Sequence, residues 1–270
     1  MKDTIVKILF LAAVLFASIA VFTGTERLMP LWAGGLLAAV LIFRKWDVLH
    51  AALLLFMLSI LIYLPGFIGM PTVKSLFPLL ASTLLVLPFP AARETLLWAK
   101  AGRLDRTSVL IIIFIAAVSA AALVLWANWA ANLPSAGLGH PAHGRLPAAG
   151  LEVAGAFMRW LPAWLVAAIG VPVFALFNAL AEEGIYRGVL QKALGRAFGE
   201  KTPALLLQAS AFAAVHYRGG FPSGPLGYVM ALAYGLVLGY LRRRSGGMLA
   251  PCLAHIMADL TIGYILVSYA

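Results

Sequence analysis

An all-α, polytopic membrane helix bundle is the fold class this sequence predicts, and three observations predict it. Of 270 residues, 63% are hydrophobic and 11% charged, with mean hydropathy +0.97; a soluble domain is near half apolar and a quarter charged. The apolar residues fall in runs of helix length, whereas an outer-membrane barrel would show alternating segments of about ten residues. The basic residues gather in alternate connections between those runs. The net charge of +10 therefore points to loops on one side of a bilayer and not to a nucleic-acid partner. One cysteine, Cys252, leaves no internal disulfide to form.

Nine apolar runs can be followed along the chain, predicting about eight or nine transmembrane helices around a polar intramembrane cavity. The first, 5–22, has Lys2 and Lys7 near its start and small residues at Ala17–Ala20. That pattern also suits a cleaved signal peptide, but more spans follow, so a retained helix is expected. The second, 29–43, and the seventh, 203–216, are short for a full crossing and should tilt or stop partway. The third, 48–68, opens beside Trp46 and Asp47, and its His50 reads as an interfacial residue next to an aromatic anchor. Runs 73–90 and 108–130 follow. The largest loop, about 131–160, is rich in Gly, Pro and Ala and holds His140 and His143. Their spacing suits a metal only on a helix, which Pro141 and Gly144 oppose, so a solvated loop is expected. The last four runs are 161–190, 203–216, 225–241 and 248–268. In the eighth, Gly235 and Gly239 give a small-xxx-small face that lets a neighbouring helix approach closely.

A cytoplasmic N-terminus places Lys2, Lys7, Arg44, Lys45, Arg93, Lys100, Arg103, Arg106, Arg187, Lys192, Arg196, Lys201 and Arg242–Arg244 inside. That is fifteen of the twenty basic residues; Arg27, Lys74, Arg145, Arg159 and Arg218 fall outside. The bias follows the positive-inside rule. The composition, rich in Ala, Leu, Gly and Arg, is that of a bacterial inner-membrane protein. Two parts are expected: N-terminal helices over 1–160, of unclear role, and a helical core over 161–270 that carries the polar residues.

The stretch Ala181-Glu-Glu-Gly-Ile-Tyr-Arg187 puts two adjacent carboxylates where a membrane helix should still be in lipid. Ionised groups at that depth are costly and usually face a protein interior or a water-filled cavity. Glu183 and Arg187 are four apart and can neutralise each other, which leaves Glu182 without a partner in its own segment. Run seven ends Phe212-Ala-Ala-Val-His216, and run nine holds His255-Ile-Met-Ala-Asp259. A carboxylate one turn from a histidine can accept its N–H and fix its tautomer, so Asp259 is the expected partner of His255. Counting from the cytoplasmic ends, Glu182 lies ~22 Å deep, His216 ~20 Å, His255 ~12 Å and Asp259 ~18 Å, at 1.5 Å per residue. The four can meet in one cavity. No P-loop, Gly-x-Ser-x-Gly, His-Glu-x-x-His or Cys-x-x-Cys is present.

These motifs resemble those of the CAAX protease and bacteriocin-processing family of intramembrane endopeptidases. That family shows Glu-Glu-x-x-x-Arg, Phe-x-x-x-His and His-x-x-x-Asn or Asp in this order on successive helices. Here they stand as Glu182-Glu183-Gly-Ile-Tyr-Arg187, Phe212-Ala-Ala-Val-His216 and His255-Ile-Met-Ala-Asp259. The resemblance covers about 165–265. It implies a glutamate-based protease in which Glu182 activates water, His216 helps hold it, and His255 with Asp259 stabilises the oxyanion or positions the substrate carbonyl. Glu183 and Arg187 are then a structural pair that aims Glu182, with Phe212 in support. Asp259 stands where Asn is more usual, exchanging a neutral donor for a carboxylate.

The resemblance implies no metal. A zinc-dependent version would draw its ligands from Glu182, His216 and His255. The partners expected are membrane lipid and a membrane-anchored protein or peptide, cut near its C-terminal tail or anchor. Two alternatives use the same residues without proteolysis. One is an immunity or partner-binding factor, against which the complete motif set argues. The other is a small transporter, against which the lack of matching halves argues.

Overall fold

The structure, a computed structural model, describes residues 2–61, 71–131, 162–199, 202–218 and 221–268. His140 and His143 lie outside the described residues, as do Lys201 and most of the loop expected over 131–160. The described residues form helices and no strand. In order these are α1 Lys2–Thr23, α2 Met29–Phe43, α3 Leu49–Leu61, α4 Pro71–Val86, a 3₁₀ stretch Pro90–Ala99, and α5 Arg106–Ala131. A turn at Ala163–Leu165 and a π-helix Val166–Gly170 lead into α6, Val171–Glu183. A second π-helix, Gly184–Leu190, continues into α7, Gln191–Phe198. The chain closes with α8 Thr202–Arg218, α9 Gly224–Ser245 and α10 Leu249–Ser268.

Each apolar run is helical over most of its described residues, because lipid offers backbone groups no partner outside their own segment. In the first turn of α2, α6 and α9 proline stands where the helix can spare an N–H, while Pro78 lies inside α4. Gly246, at φ +69, ends α9 in the left-handed conformation that glycine adopts without strain. Among the described residues, Lys2–Ala20, Glu26–Phe43, Arg106–Trp129, Ala167–Phe198, Gly224–Ser245 and Leu249–Ser268 are long and apolar enough to cross a membrane. The second run, expected to be short, therefore reaches span length once its 3₁₀ lead-in is counted. The seventh is short as expected, since α8 has 17 residues. The outward side chains suit lipid: Leu110, Ile113, Phe114 and Leu125 of α5 are all more than half exposed.

At the centre, α10 packs between α6 and α5, while α8 lies against α9 and α1. Gly235 and Gly239 do what the small-residue spacing predicts. A Cβ on Gly235 would stand 3.2 Å from Ala209 Cα, and one on Gly239 2.5 Å from Leu205. That closeness lets Gln208 Nε2 donate to Gly235 O and Gln191 Nε2 to Gly239 O, both at 3.0 Å. The N-terminal helices share a core with the rest: Phe10, Leu36, Leu49 and Leu79 join Ile185, Val189 and Leu194 in one buried cluster.

One end of the bundle collects the basic residues. Lys45 pairs with Asp3, tying the start of α1 to the end of α2. Lys192 and Arg196 both donate to Glu94 O, and Arg244 meets Asp105 at 3.5 Å. Gly102 and Gly247 cross in contact there, with Met248 N donating to Lys100 O and Arg103 N to Ser245 O. This crossing fixes where α10 begins. Arg187, counted with the inside positions, is only 1% exposed and lies in the core. His50 is equally buried, its face of α3 turned toward Thr83 of α4, 3.2 Å away.

Candidate active site

The site is assembled from α6, its following π-helix, α8 and α10. The acidic pair sits at the junction of α6 with the π-helix Gly184–Leu190. Such wide turns shift helix register and are frequent at functional positions. Glycines make the junction possible. A Cβ on Gly184 would stand 2.4 Å from Leu79 of α4, and one on Gly188 2.6 Å from Trp98. The bulky neighbours on both sides therefore hold the π-helix in place.

The two carboxylates have different surroundings. Glu183 is fully buried, and its Oε1 accepts from Arg187 Nη1 at 2.7 Å and from His255 Nδ1 at 2.7 Å. Glu182 is 20% exposed, and its Oε2 lies 3.6 Å from His255 Nε2. Asp259 Oδ1 faces the same nitrogen at 3.7 Å. His255 is thus gripped at Nδ1 by Glu183 and shows Nε2 to Glu182 and Asp259. This corrects the expectation that Asp259, one turn along, would fix the histidine. The short bond comes instead from a residue 72 positions away, and it leaves Asp259 on the reactive side of the ring.

Phe212 forms the floor. Its ring stands edge-on to His255 with centroids 6.1 Å apart, and His216 is 4.7 Å away on the same helix. The Arg187 guanidinium lies over the Phe212 ring, 4.4 Å from its centroid, so a cation that cannot reach water gains a polarisable face. His216 Nδ1 donates to Phe212 O at 3.0 Å, which directs Nε2 away from its own helix; Glu182 is among the charges that act on it. All seven residues singled out in the sequence are therefore in one neighbourhood.

The sequence reading missed three neighbours. Asn178 Nδ2 donates to Asp259 Oδ2 at 3.2 Å. Tyr234 stands edge-on to His255 at 5.6 Å, its hydroxyl donating to Ala254 O, and Tyr186 packs edge-on against Phe212 at 5.2 Å. Asn178 carried a usable signal, since it lies one turn before Glu182 on the same face of an apolar run. The tyrosines carried none. Among the described residues no group of three His, Cys, Asp or Glu side chains is set to hold a metal ion.

Comparison with known proteins adds one finding. Residues 160–261 match the family described as type II CAAX prenyl endopeptidase, Rce1-like. Neither a curated protein nor a solved structure matches the chain. The matched stretch contains every residue of the acidic and histidine motifs. The chain has the helices of an integral membrane protein, and its residues 160–261 are similar to the CAAX protease family of intramembrane endopeptidases.

Proposed function

We propose that the chain hydrolyses a peptide bond near the C-terminal tail or membrane anchor of its substrate, with Glu182 as general base. The observation that carries this is the asymmetry of the acidic pair. Glu183 already accepts two charged or polar donors and has no exposure, whereas Glu182 keeps part of its surface open and has no bond shorter than 3.6 Å to His255. A carboxylate free to meet water beside a held imidazole is what proton transfer requires.

Glu182 takes a proton from water as the water oxygen attacks the scissile carbonyl carbon. The same proton passes to the departing amine nitrogen as the C–N bond breaks. The products are a new carboxyl terminus and a free amine. His216 holds the water through Nε2, and His255 with Asp259 positions the carbonyl and offsets charge on its oxygen. Glu183 and Arg187 act through His255 and are positioning residues. The reading is metal-free: Glu182 and the histidines supply the acid–base chemistry themselves. The basic end of the bundle, from Asp3–Lys45 to Arg244–Asp105, faces the cytoplasm in this account, following the positive-inside rule.

The test is Glu182→Gln in full-length protein reconstituted in lipid, with C-terminally tagged membrane-anchored peptides as substrates. Cleavage should fall by roughly a thousandfold, within the range lost on removing a general base. Wild-type cleavage by the variant would defeat the assignment, and loss of activity with a chelator, restored by zinc, would defeat the metal-free part.

A further inference from the structure

A second polar site lies at the basic end, away from the acidic pair. Asp47, His50, Ala51, Thr95, Val189, Lys192, Ala193 and Arg196 line a narrow cleft with room for about one water-sized group, such as a single hydroxyl. His50 is 1% exposed and its Nδ1 has no hydrogen-bond partner among the described residues. The neighbouring network fixes which kind of partner it lacks. Thr83 Oγ1 donates to Leu79 O at 2.6 Å, so its oxygen accepts from His50 Nε2–H at 3.2 Å. The neutral ring then presents Nδ1 as a lone pair, which needs a donor such as a hydroxyl.

The cations beside it are only partly used. Lys192 Nζ gives one N–H to Glu94 O, and Arg196 reaches Glu94 O and Asp47 O through its two terminal nitrogens. The Glu94 carboxylate is 81% exposed and 3.6 Å from Arg196, so it screens little. Arg242 and Lys100 add to the positive field at Lys192. The site also borders the lipid-facing surface. Thr95 belongs to the 3₁₀ stretch that follows exposed Phe89, and Phe89 stacks on Trp46 at 5.4 Å, an aromatic pair suited to the headgroup level.

The geometry points to a binding site for an anionic phospholipid whose phosphodiester headgroup carries a free hydroxyl, a glycerol headgroup being the simplest case. The phosphate meets Lys192 and Arg196, and the hydroxyl donates to His50 Nδ1. Lys192 and Arg196 belong to the helix that continues from the acidic pair, so the lipid would anchor that helix at the membrane surface.

The experiment is native mass spectrometry of the full-length protein with defined lipids. Wild type should retain phosphatidylglycerol about tenfold better than phosphatidylcholine, through the charge-assisted phosphate contacts, and about threefold or more better than phosphatidylmethanol, which lacks the hydroxyl. K192Q/R196Q should abolish the first preference and H50F the second. If H50F does not fold, the two-lipid comparison in wild type still decides the hydroxyl contact. Equal retention of all three lipids, or an unchanged preference in K192Q/R196Q, overturns the site. Stabilisation by free glycerol 3-phosphate equal to that by the lipid overturns the lipid assignment in favour of a soluble ligand.

Discussion

Glu183→Gln and Glu182→Gln should have opposite consequences although the residues are adjacent. Glu183 and Arg187 are both fully buried and 2.7 Å apart, and Glu183 Oε1 also holds His255 Nδ1. Breaking a buried ion pair by removing one charge costs about 3–5 kcal/mol, because the remaining charge stays buried without compensation. Gln keeps one acceptor, so the lower figure applies, about 3 kcal/mol. At roughly 2–4 °C per kcal/mol for a chain of this size, Tm should fall by roughly 6–12 °C. Glu182 is 20% exposed and its contact with His255 is 3.6 Å; such a pair is worth about 0–1 kcal/mol, so E182Q should lie within about 4 °C of wild type. Thermal unfolding in detergent, followed by the fluorescence of the seven tryptophans, measures both. An E183Q protein as stable as wild type, or an E182Q protein as unstable as E183Q, refutes the division of labour between the two carboxylates.

Three further outcomes follow from the geometry. Asn178→Ala removes the donor to Asp259 and should lower kcat about tenfold to a hundredfold with little change in KM, the loss expected for a hydrogen bond to a charged group; steady-state kinetics on a cleavable tail checks it, and an unchanged kcat makes Asn178 a packing residue only. Gly239→Ala places a Cβ against Leu205 and Gln208 and should destabilise by about 1–3 kcal/mol, read as a lower Tm. Asp105 caps α5, accepting from Ser108 N at 2.7 Å, and this backbone hydrogen bond holds its carboxyl below the usual carboxylate value. A depressed carboxyl stabilises at pH above its unfolded value, near 4, and loses that contribution as pH falls through the folded value. Amide exchange at the start of α5 should therefore quicken below about pH 4 in wild type, relative to D105N, which keeps the cap without titrating.

The helices were legible because a bilayer permits little else, and the motif residues because charge at membrane depth stands out against an apolar background. Gly235 and Gly239 were legible for a similar reason: their spacing puts both on one face, and only close packing uses that face. What the sequence did not reveal were contacts between helices. An i,i+4 rule assigned His255 to Asp259, since it sees one helix at a time, while the shorter bond to Glu183 crosses from α10 to α6. His50 was placed by its neighbours Trp46 and Asp47, yet which face of α3 turns inward depends on α4. Asn178 lies one turn before Glu182 in an apolar run, a usable signal, but its partner Asp259 stands on another helix.

The central claim is that Glu182 drives hydrolysis of membrane-anchored substrates at or near their C-termini. Mass-spectrometric mapping of protein C-termini in membranes of matched cells expressing wild type or E182Q tests it most directly. The account predicts a set of shortened C-termini present with wild type and missing with E182Q, although both proteins accumulate to equal levels. The same shortened termini in both cells would contradict it.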